Sequence, residues 1–379
     1  RDMVAQHGRW KRRFHAATTD DEEGSCGQYL LQVRGFRWCG LLASAFSVAL
    51  CFGQKSSLQM RLAGSRTWSG QPGCEHRVGH PLPCCGLTCT HLWNGSAVRG
   101  ADSDHACRVA QMSNGAYLAG GLAPKMCVRD YSDIVSTAII RTGVWRDCLV
   151  LAKLWEYPCR EEEAVCRRKV FMDIGANIGG CLLQMLARPD VNAALGFEPS
   201  ASNLFYLTSS LMLNPDIKHK VNLYAAGLGS EFGQHDLYTE PGNAGNTVLD
   251  SARAFAPQKL GVVTTVTLDQ ALMSMSPLPY IHLAKVDAQG FEVKILHGAE
   301  QMLASGIVEI FKFEVAPYWL AAQNTSAAAY VNIFTSHGYF ISSEDVRSGQ
   351  ESLVPLGQDQ LHAVVCHKDQ PSATLPYVR

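Results

Sequence analysis

Asp173, Gly175, Asn177 and Gly179 stand in "VFMDIGANIGG", residues 170–180, where an apolar run meets an aspartate, a glycine-punctuated turn and a helix-like stretch. Turns of this kind bring backbone amides close to nucleotide-like cofactors. A dinucleotide site wants Gly-x-Gly-x-x-Gly, because its amides must approach a pyrophosphate. Here the glycines are Gly175, Gly179 and Gly180, and Asp173 stands two residues before the first. A carboxylate there repels a pyrophosphate and attracts a cation. At about 4 Å and an effective dielectric near 20, that attraction is about 4 kcal/mol before desolvation. S-adenosylmethionine carries an ammonium and a sulfonium and no phosphate, so Asp173 favours it over NAD. Glu198 ends the next apolar run, where its carboxylate can accept both hydroxyl hydrogens of a ribose. NAD shares that need, so Glu198 argues only for an adenosine-type ribose. A lone strand-end acid is ordinarily a cap; an acid–glycine turn with a second strand-end acid in register reads as a cofactor site.

The elements that must hold these residues follow from periodicity. "RRKVFMDIG" ends in a buried strand at about 169–174, and Ile178, Cys181, Leu182, Met185 and Leu186 repeat as a helix face. "AALGFEP" reads as a second strand, followed by a helix marked by Leu204, Leu207 and Leu211 that stops before Asn214-Pro215. "VNLYAAGLG", "YIHLAKVDA" and "GIVEIFKFEVAP" supply three more strands, and the helix opened by Gly290 turns Ile295, Leu296, Ala299, Met302 and Leu303 inward. A helix at about 325–336 leads to "GYFIS", and "LHAVVC" makes a last strand. Strands alternating with helices imply parallel βαβ units: an α/β, doubly wound, mostly parallel, Rossmann-like sheet, with its ligand beyond the strands' carboxyl ends. Segment 230–265 is turn-rich and reads as an inserted hairpin or lid.

Several stretches resemble the FkbM-type S-adenosylmethionine-dependent methyltransferase family. "DIGANIGG" is similar to its first motif, "GFEPSASN" to its second and "AAGLG" at 225–229 to its third; "VTLDQAL", "LAKVDAQGFEVKILHGAEQML" and "FKFEVAP" resemble its later run. The likeness covers about 128–367, including "DIVSTAIIRTGVW". On these motifs the cofactor-binding set is Asp173, Gly175, Asn177, Gly179, Glu198 and Ala226. The resemblance implies methyl transfer, usually to an oxygen. Gln289 stands where many members carry glutamate, which weakens a role for a carboxylate there.

A hydroxyl acceptor needs a base within hydrogen-bond reach and alignment with the methyl group. Asp287, at the end of the fourth strand, is the first catalytic candidate, and Glu314, ending the fifth, is the second. Glu292 reads equally as a helix-start charge or a substrate contact. Lys285 is placed to pair with a carboxylate, and His282 reads as a satisfied sheet histidine rather than a base. A divalent metal at Asp287 lacks a dense acidic cluster to support it, so no metal is expected. The rivals are a nicotinamide-dependent oxidoreductase, opposed by the glycine spacing and Asp173, and a catalytically silent domain that keeps the fold as a binding module.

Charge and composition divide the chain. Of 379 residues, the first 100 carry 12 Lys/Arg against 6 Asp/Glu, and the remainder carries 21 against 28. A divergent leader, 1–127, therefore precedes a methyltransferase-like domain at 128–369 and a tail at 370–379. The apolar run at 38–52, flanked by Arg34 and Arg37, is a candidate single-pass endomembrane anchor, though 15 residues fall short of the ~20 that span a bilayer comfortably. Without that anchor the expected compartment is cytoplasmic. Fourteen cysteines form no recognisable framework; the run from Cys74 to His91 could hold zinc but lacks clean Cys-x2-Cys steps, and Cys159 with Cys166 could close a short acidic loop in an oxidising compartment. Asn94-Gly95-Ser96 and Asn324-Thr325-Ser326 are glycosylation sequons. No basic, aromatic-laced surface marks nucleic-acid binding, so the expected acceptor is a small molecule, glycan or lipid.

Overall fold

The computed structural model describes residues 74–75, 84–85, 91–99, 107–113, 123–130, 133–159, 161, 163–240, 242–250, 258–275, 278–341 and 361–368, which fall in one unit, Gly70–Arg379. The expected anchor at 38–52, most of the zinc-like run and the tail at 370–379 lie outside the described residues. No described helix is long and apolar enough to cross a membrane.

Two short antiparallel pairs come first: β1 (Cys74–Glu75) with β2 (Cys84–Cys85), and β3 (Arg108–Gln111) with β4 (Lys125–Val128). Then α1 (Ile134–Thr142) starts on Asp133, whose side chain accepts from the Ser136 amide, and stops at Gly143 in the left-handed conformation (φ 74°). Helices α2 (Arg146–Trp155) and α3 (Glu163–Cys166) lead to β5 (Val170–Ile174). The expected alternation follows: α4 (Gly180–Leu186), β6 (Ala193–Phe197), α5 (Ala201–Leu213), α6 (Pro215–Lys218) and β7 (Val221–Tyr224). Every residue of β5, β6 and β7 is buried, as parallel strands covered on both faces require.

The inserted segment is a sheet of its own. β8 (Gly227–Leu228), β9 (Gly233–Glu240), β10 (Asn243–Leu249) and β11 (Gln258–Val266) lie in the order β10-β9-β11-β8. The expected third strand, "VNLYAAGLG", is thus two strands in two sheets, because the chain leaves the main sheet at Ala225–Ala226. After α7 (Leu268–Met273) come β12 (Ile281–Val286), α8 (Glu292–His297), α9 (Glu300–Ser305), β13 (Val308–Val315), α10 (Pro317–Ala322), α11 (Ala327–Ser336), β14 (Tyr339–Ile341) and β15 (Leu361–Lys368). The single helix expected after Gly290 is broken between α8 and α9. Gly298 is the reason: a Cβ there would lie 2.0 Å from the Gly229 carbonyl oxygen, so the backbones touch.

The main sheet has the order β14-β15-β13-β12-β5-β6-β7. Its β13-β12-β5-β6-β7 portion is parallel, whereas β15 runs antiparallel to both β13 and β14. The first strand, β5, is central, with β6 and β7 on one side and β12 and β13 on the other. The order therefore reverses between β5 and β12, where a doubly wound fold opens its ligand crevice. One apolar layer, including Leu268, Leu296, Phe311 and Phe334, covers one face; Leu151, Trp155, Leu182 and Leu207 belong to the other.

The boundary expected after residue 127 falls inside β4. Met126, Cys127 and Val128 are fully buried, and the Cys127 amide donates to Ser210 Oγ on α5 (2.9 Å). Composition hid this strand, because its apolar run is only three residues long.

Candidate active site

The crevice at the reversal point is built by backbone contact. The Asp287 amide donates to the Ile174 carbonyl (3.1 Å), and a Cβ on Gly175 would lie 1.8 Å from the Asp287 carbonyl oxygen. Only glycine fits at 175, which also has φ 77°. Gly179, at φ 93°, completes the turn with Leu207 against it.

The amides of this turn are spent inside the protein. Gly175 and Ala176 both donate to the Phe197 carbonyl (3.1 and 3.0 Å), and Asn177 donates to Glu198 Oε2 (2.8 Å). The Ile178 amide donates to Asn177 Oδ1 (2.7 Å) and that of Gly179 to the Ala176 carbonyl (2.9 Å). Glu198 also accepts from the Ser200 amide (2.9 Å) and Asn203 Nδ2 (3.2 Å). Burial pushes its carboxyl up; these three donors pull it back only in part.

Beneath the turn lies a buried lysine. Lys285 Nζ is 3.2 Å from Asp173 Oδ1 and 3.3 Å from Asp287 Oδ2, and donates to the Gly175 carbonyl (3.1 Å). Burial opposes its charge, but Asp173 and Asp287 more than offset that and hold the ammonium above the ordinary lysine range. For Asp287, burial raises the pKa, and Lys285, Lys312 and the hydrogen bond from Gln289 Nε2 (2.8 Å) bring it below the usual carboxylate value. Glu314 goes the other way: burial and the neighbouring Asp287 charge lift it to about 9. Glu292 is lifted by burial to about 7 and accepts from the amides of Ala288 (2.9 Å) and Gly290 (3.1 Å).

Two adjoining cavities share this wall. The smaller, about 80 Å³, is lined by Glu198, Phe197, Ala226, Leu249 and Phe291 among others. The larger, about 530 Å³, is lined by Trp145, Tyr318, Trp319, Asp147, Glu240 and Glu314 among others. Gly175, Asn177, Asn246, Asp287 and Gln289 line both. Of the residues singled out in the sequence, Gly175, Asn177, Glu198, Ala226, Asp287 and Glu314 are therefore brought together. Asp173 and Gly179 line neither cavity. The attraction expected between Asp173 and a cofactor cation falls instead on Lys285, because the carboxylate is fully buried 3.2 Å from that ammonium. His282 is remote: its Nε2 meets the Trp155 carbonyl at 3.2 Å within the core. Sequence reasoning missed the aromatic wall, although Tyr318 and Trp319 directly follow "FKFEVAP". It also missed the hairpin latch. The Gly245 amide donates to Asp133 Oδ1 (3.1 Å) and Asn203 Nδ2 donates to the Gly245 carbonyl (3.4 Å), closing β10 over the smaller cavity. No cluster of three or more metal-ligating side chains occurs among the described residues.

Sheet order, glycine turn and paired cavities define a Rossmann-like domain with its ligand crevice at the switch point. Residues 173–341 match the family model described as the Methyltransferase FkbM domain. No curated protein matches its sequence. Among solved structures, the methyltransferase FkbM from Methylobacillus flagellatus KT is 15% identical, with a TM-score of 0.33; the match covers 62% of this chain and 56% of that one. TrmK of M. capricolum, solved with S-adenosyl-homocysteine, is 10% identical with a TM-score of 0.33, covering 60% and 70%. An rRNA methylase from Streptococcus thermophilus is 11% identical with a TM-score of 0.33, covering 60% and 99%. Superpositions this loose transfer no substrate.

Proposed function

We propose that the chain is an S-adenosylmethionine-dependent methyltransferase that acts on a hydroxyl of a small molecule, glycan or lipid. One observation carries the cofactor choice: all five amides of the 175–179 turn are bonded within the protein. A pyrophosphate would find none of them free, whereas a phosphate-free cofactor needs none. The glycine cradle at 175 and the apolar walls beside Glu198 suit an adenosine, with Glu198 accepting from ribose hydroxyls. When bound, the cofactor supplies an electrophilic methyl group on its sulfonium. Ionised Asp287 then stands at the junction of the two cavities to accept the acceptor's hydroxyl proton. Glu314, protonated at neutral pH, donates a hydrogen bond rather than acting as a base. Lys285 holds Asp287 ionised and in place, with Asp173 anchoring the lysine. On the larger cavity the carboxylates of Asp147, Glu240 and Asp287 outnumber the ammonium of Lys285, which disfavours a polyanionic acceptor and supports a reading without nucleic acid.

Calorimetric titration with S-adenosylhomocysteine and NAD, on the full chain and on Glu198→Gln, tests the cofactor. Micromolar binding of the first alone, weakened at least about tenfold in the variant, is expected. Binding of NAD instead refutes the proposal. Transfer of labelled methyl from S-adenosylmethionine into a polar and lipid extract, lower by about 10²–10⁴-fold for Asp287→Asn, is expected next. Cofactor binding with no transfer into any fraction would identify a silent binding module.

A further inference from the structure

We propose that Asn94 is a site of N-linked glycosylation. The sequon Asn94-Gly95-Ser96 sits in a turn whose three residues are all exposed. Its position is fixed from beneath. Leu92 and Trp93 are buried, Leu92 bridges Tyr224 at the edge of the main sheet, the Trp93 amide donates to the Leu223 carbonyl (2.7 Å), and Trp93 Nε1 donates to the Ser96 carbonyl. Within the turn, Asn94 Oδ1 accepts from both the Ser96 amide (3.1 Å) and Ser96 Oγ (2.6 Å). The amide and the hydroxyl that make up the acceptor signal are thus already together. Around them is open space: a Cβ built on Gly95 would have no atom within 4 Å.

An independent observation favours a compartment where such chemistry happens. The described residues contain three disulfides, Cys107–Cys127, Cys148–Cys181 and Cys159–Cys166. They tie β4, α2, α4 and the α3 loop, and bonds of this kind persist in oxidising, secretory compartments. The second sequon differs in structure. Asn324 lies in the left-handed region (φ 58°) between two helices, and Ser326 Oγ is engaged in capping α11 through the Ala329 amide (3.2 Å).

The reaction needs a polyprenyl-pyrophosphate-linked oligosaccharide as donor. A bond forms between Asn94 Nδ2 and the anomeric carbon as that carbon's bond to the pyrophosphate oxygen breaks. The lipid pyrophosphate leaves with the electron pair, and Nδ2 gives up one proton. Neither cavity is lined by residues 94–96, so the glycan decorates the sheet edge rather than the crevice.

The test is secretion of the full chain, behind an added signal peptide, from cultured animal cells. Glycosidase release in heavy-oxygen water should convert Asn94 to labelled aspartate, read by peptide mass spectrometry. It should also increase gel mobility. Both readouts should vanish in Asn94→Gln and in Ser96→Ala, two exposed positions where folding is spared, and persist in Asn324→Gln. A secreted chain with no glycan, or with glycan on Asn324 alone, overturns the proposal.

Discussion

Glu314 and Asp287 are acids of one type, ending neighbouring strands, yet they ionise in opposite directions. Asp287 has Lys285 beside it, while Glu314 faces the Asp287 charge. In the folded chain Glu314 keeps its proton to about pH 9, against 4.5 for an ordinary glutamate. Between those values the folded state binds more protons than the unfolded one. Stability from this group is therefore complete below about pH 4.5 and falls as pH rises towards 9. Glu314→Gln should flatten the decline of Tm between about pH 6 and pH 8.5, measured by scanning calorimetry; an unchanged slope would refute the assignment. Removing the cation is a harsher change. Lys285→Met leaves Asp173 and Asp287 buried without it, and should cost about 3–5 kcal/mol in denaturant unfolding. Sequence made both acids legible, because strand-end position and residue type suffice to nominate them. It could not say which one is charged, since that depends on side chains from β5, β12 and β13 meeting across the sheet.

At the scale of elements, the hairpin decides access. The smaller cavity, at about 80 Å³, falls below the ~300–1,000 Å³ of ordinary ligand sites. An adenosine therefore fits only if the 245–249 portion of β10 moves outward from its latch on Asp133 and Asn203. Hydrogen exchange of the 243–249 amides should change on addition of S-adenosylhomocysteine, while β5 and β6 stay protected. Exchange unaltered by a bound ligand would contradict a moving hairpin. The turn-rich composition of 230–265 announced an insertion, and that much was readable. Its pairing with β8 was not, because Gly227–Leu228 reads as the tail of a longer apolar strand until the chain's exit at Ala225 is seen. Likewise the inward face from Ile295 to Leu303 was readable, whereas the break at Gly298 depends on contact with the backbone of Gly229, far earlier in the chain.

Across the whole molecule, covalent links reinforce the packing around α4. Cys148–Cys181 ties α2 to the first turn of α4, closing a loop of 33 residues. Such a loop is worth about 3–4 kcal/mol through the unfolded chain. Reduction under native conditions should lower Tm by several degrees, and Cys148→Ala/Cys181→Ala together should reproduce most of that loss in the oxidised protein. Equal Tm with and without reductant would argue against these bonds in solution. The short Cys159–Cys166 loop was nominated by spacing, on the condition of an oxidising compartment. The other two pairs could not be, since their partners meet only once the helices and the β3–β4 pair have docked.

The sheet order β14-β15-β13 carries a consequence for the nascent chain. Synthesis delivers β13, then β14, then β15, but in space the last of these lies between the first two. Among the described strands β14 pairs with β15 alone, so it cannot take its place while Leu361–Lys368 is still inside the ribosome. During that interval β13 offers a bare edge to any passing strand, a known route to misassembly. A ribosome pause just before residue 361 would prolong the hazard, and chaperone occupancy of nascent chains should peak there and drop once β15 has emerged.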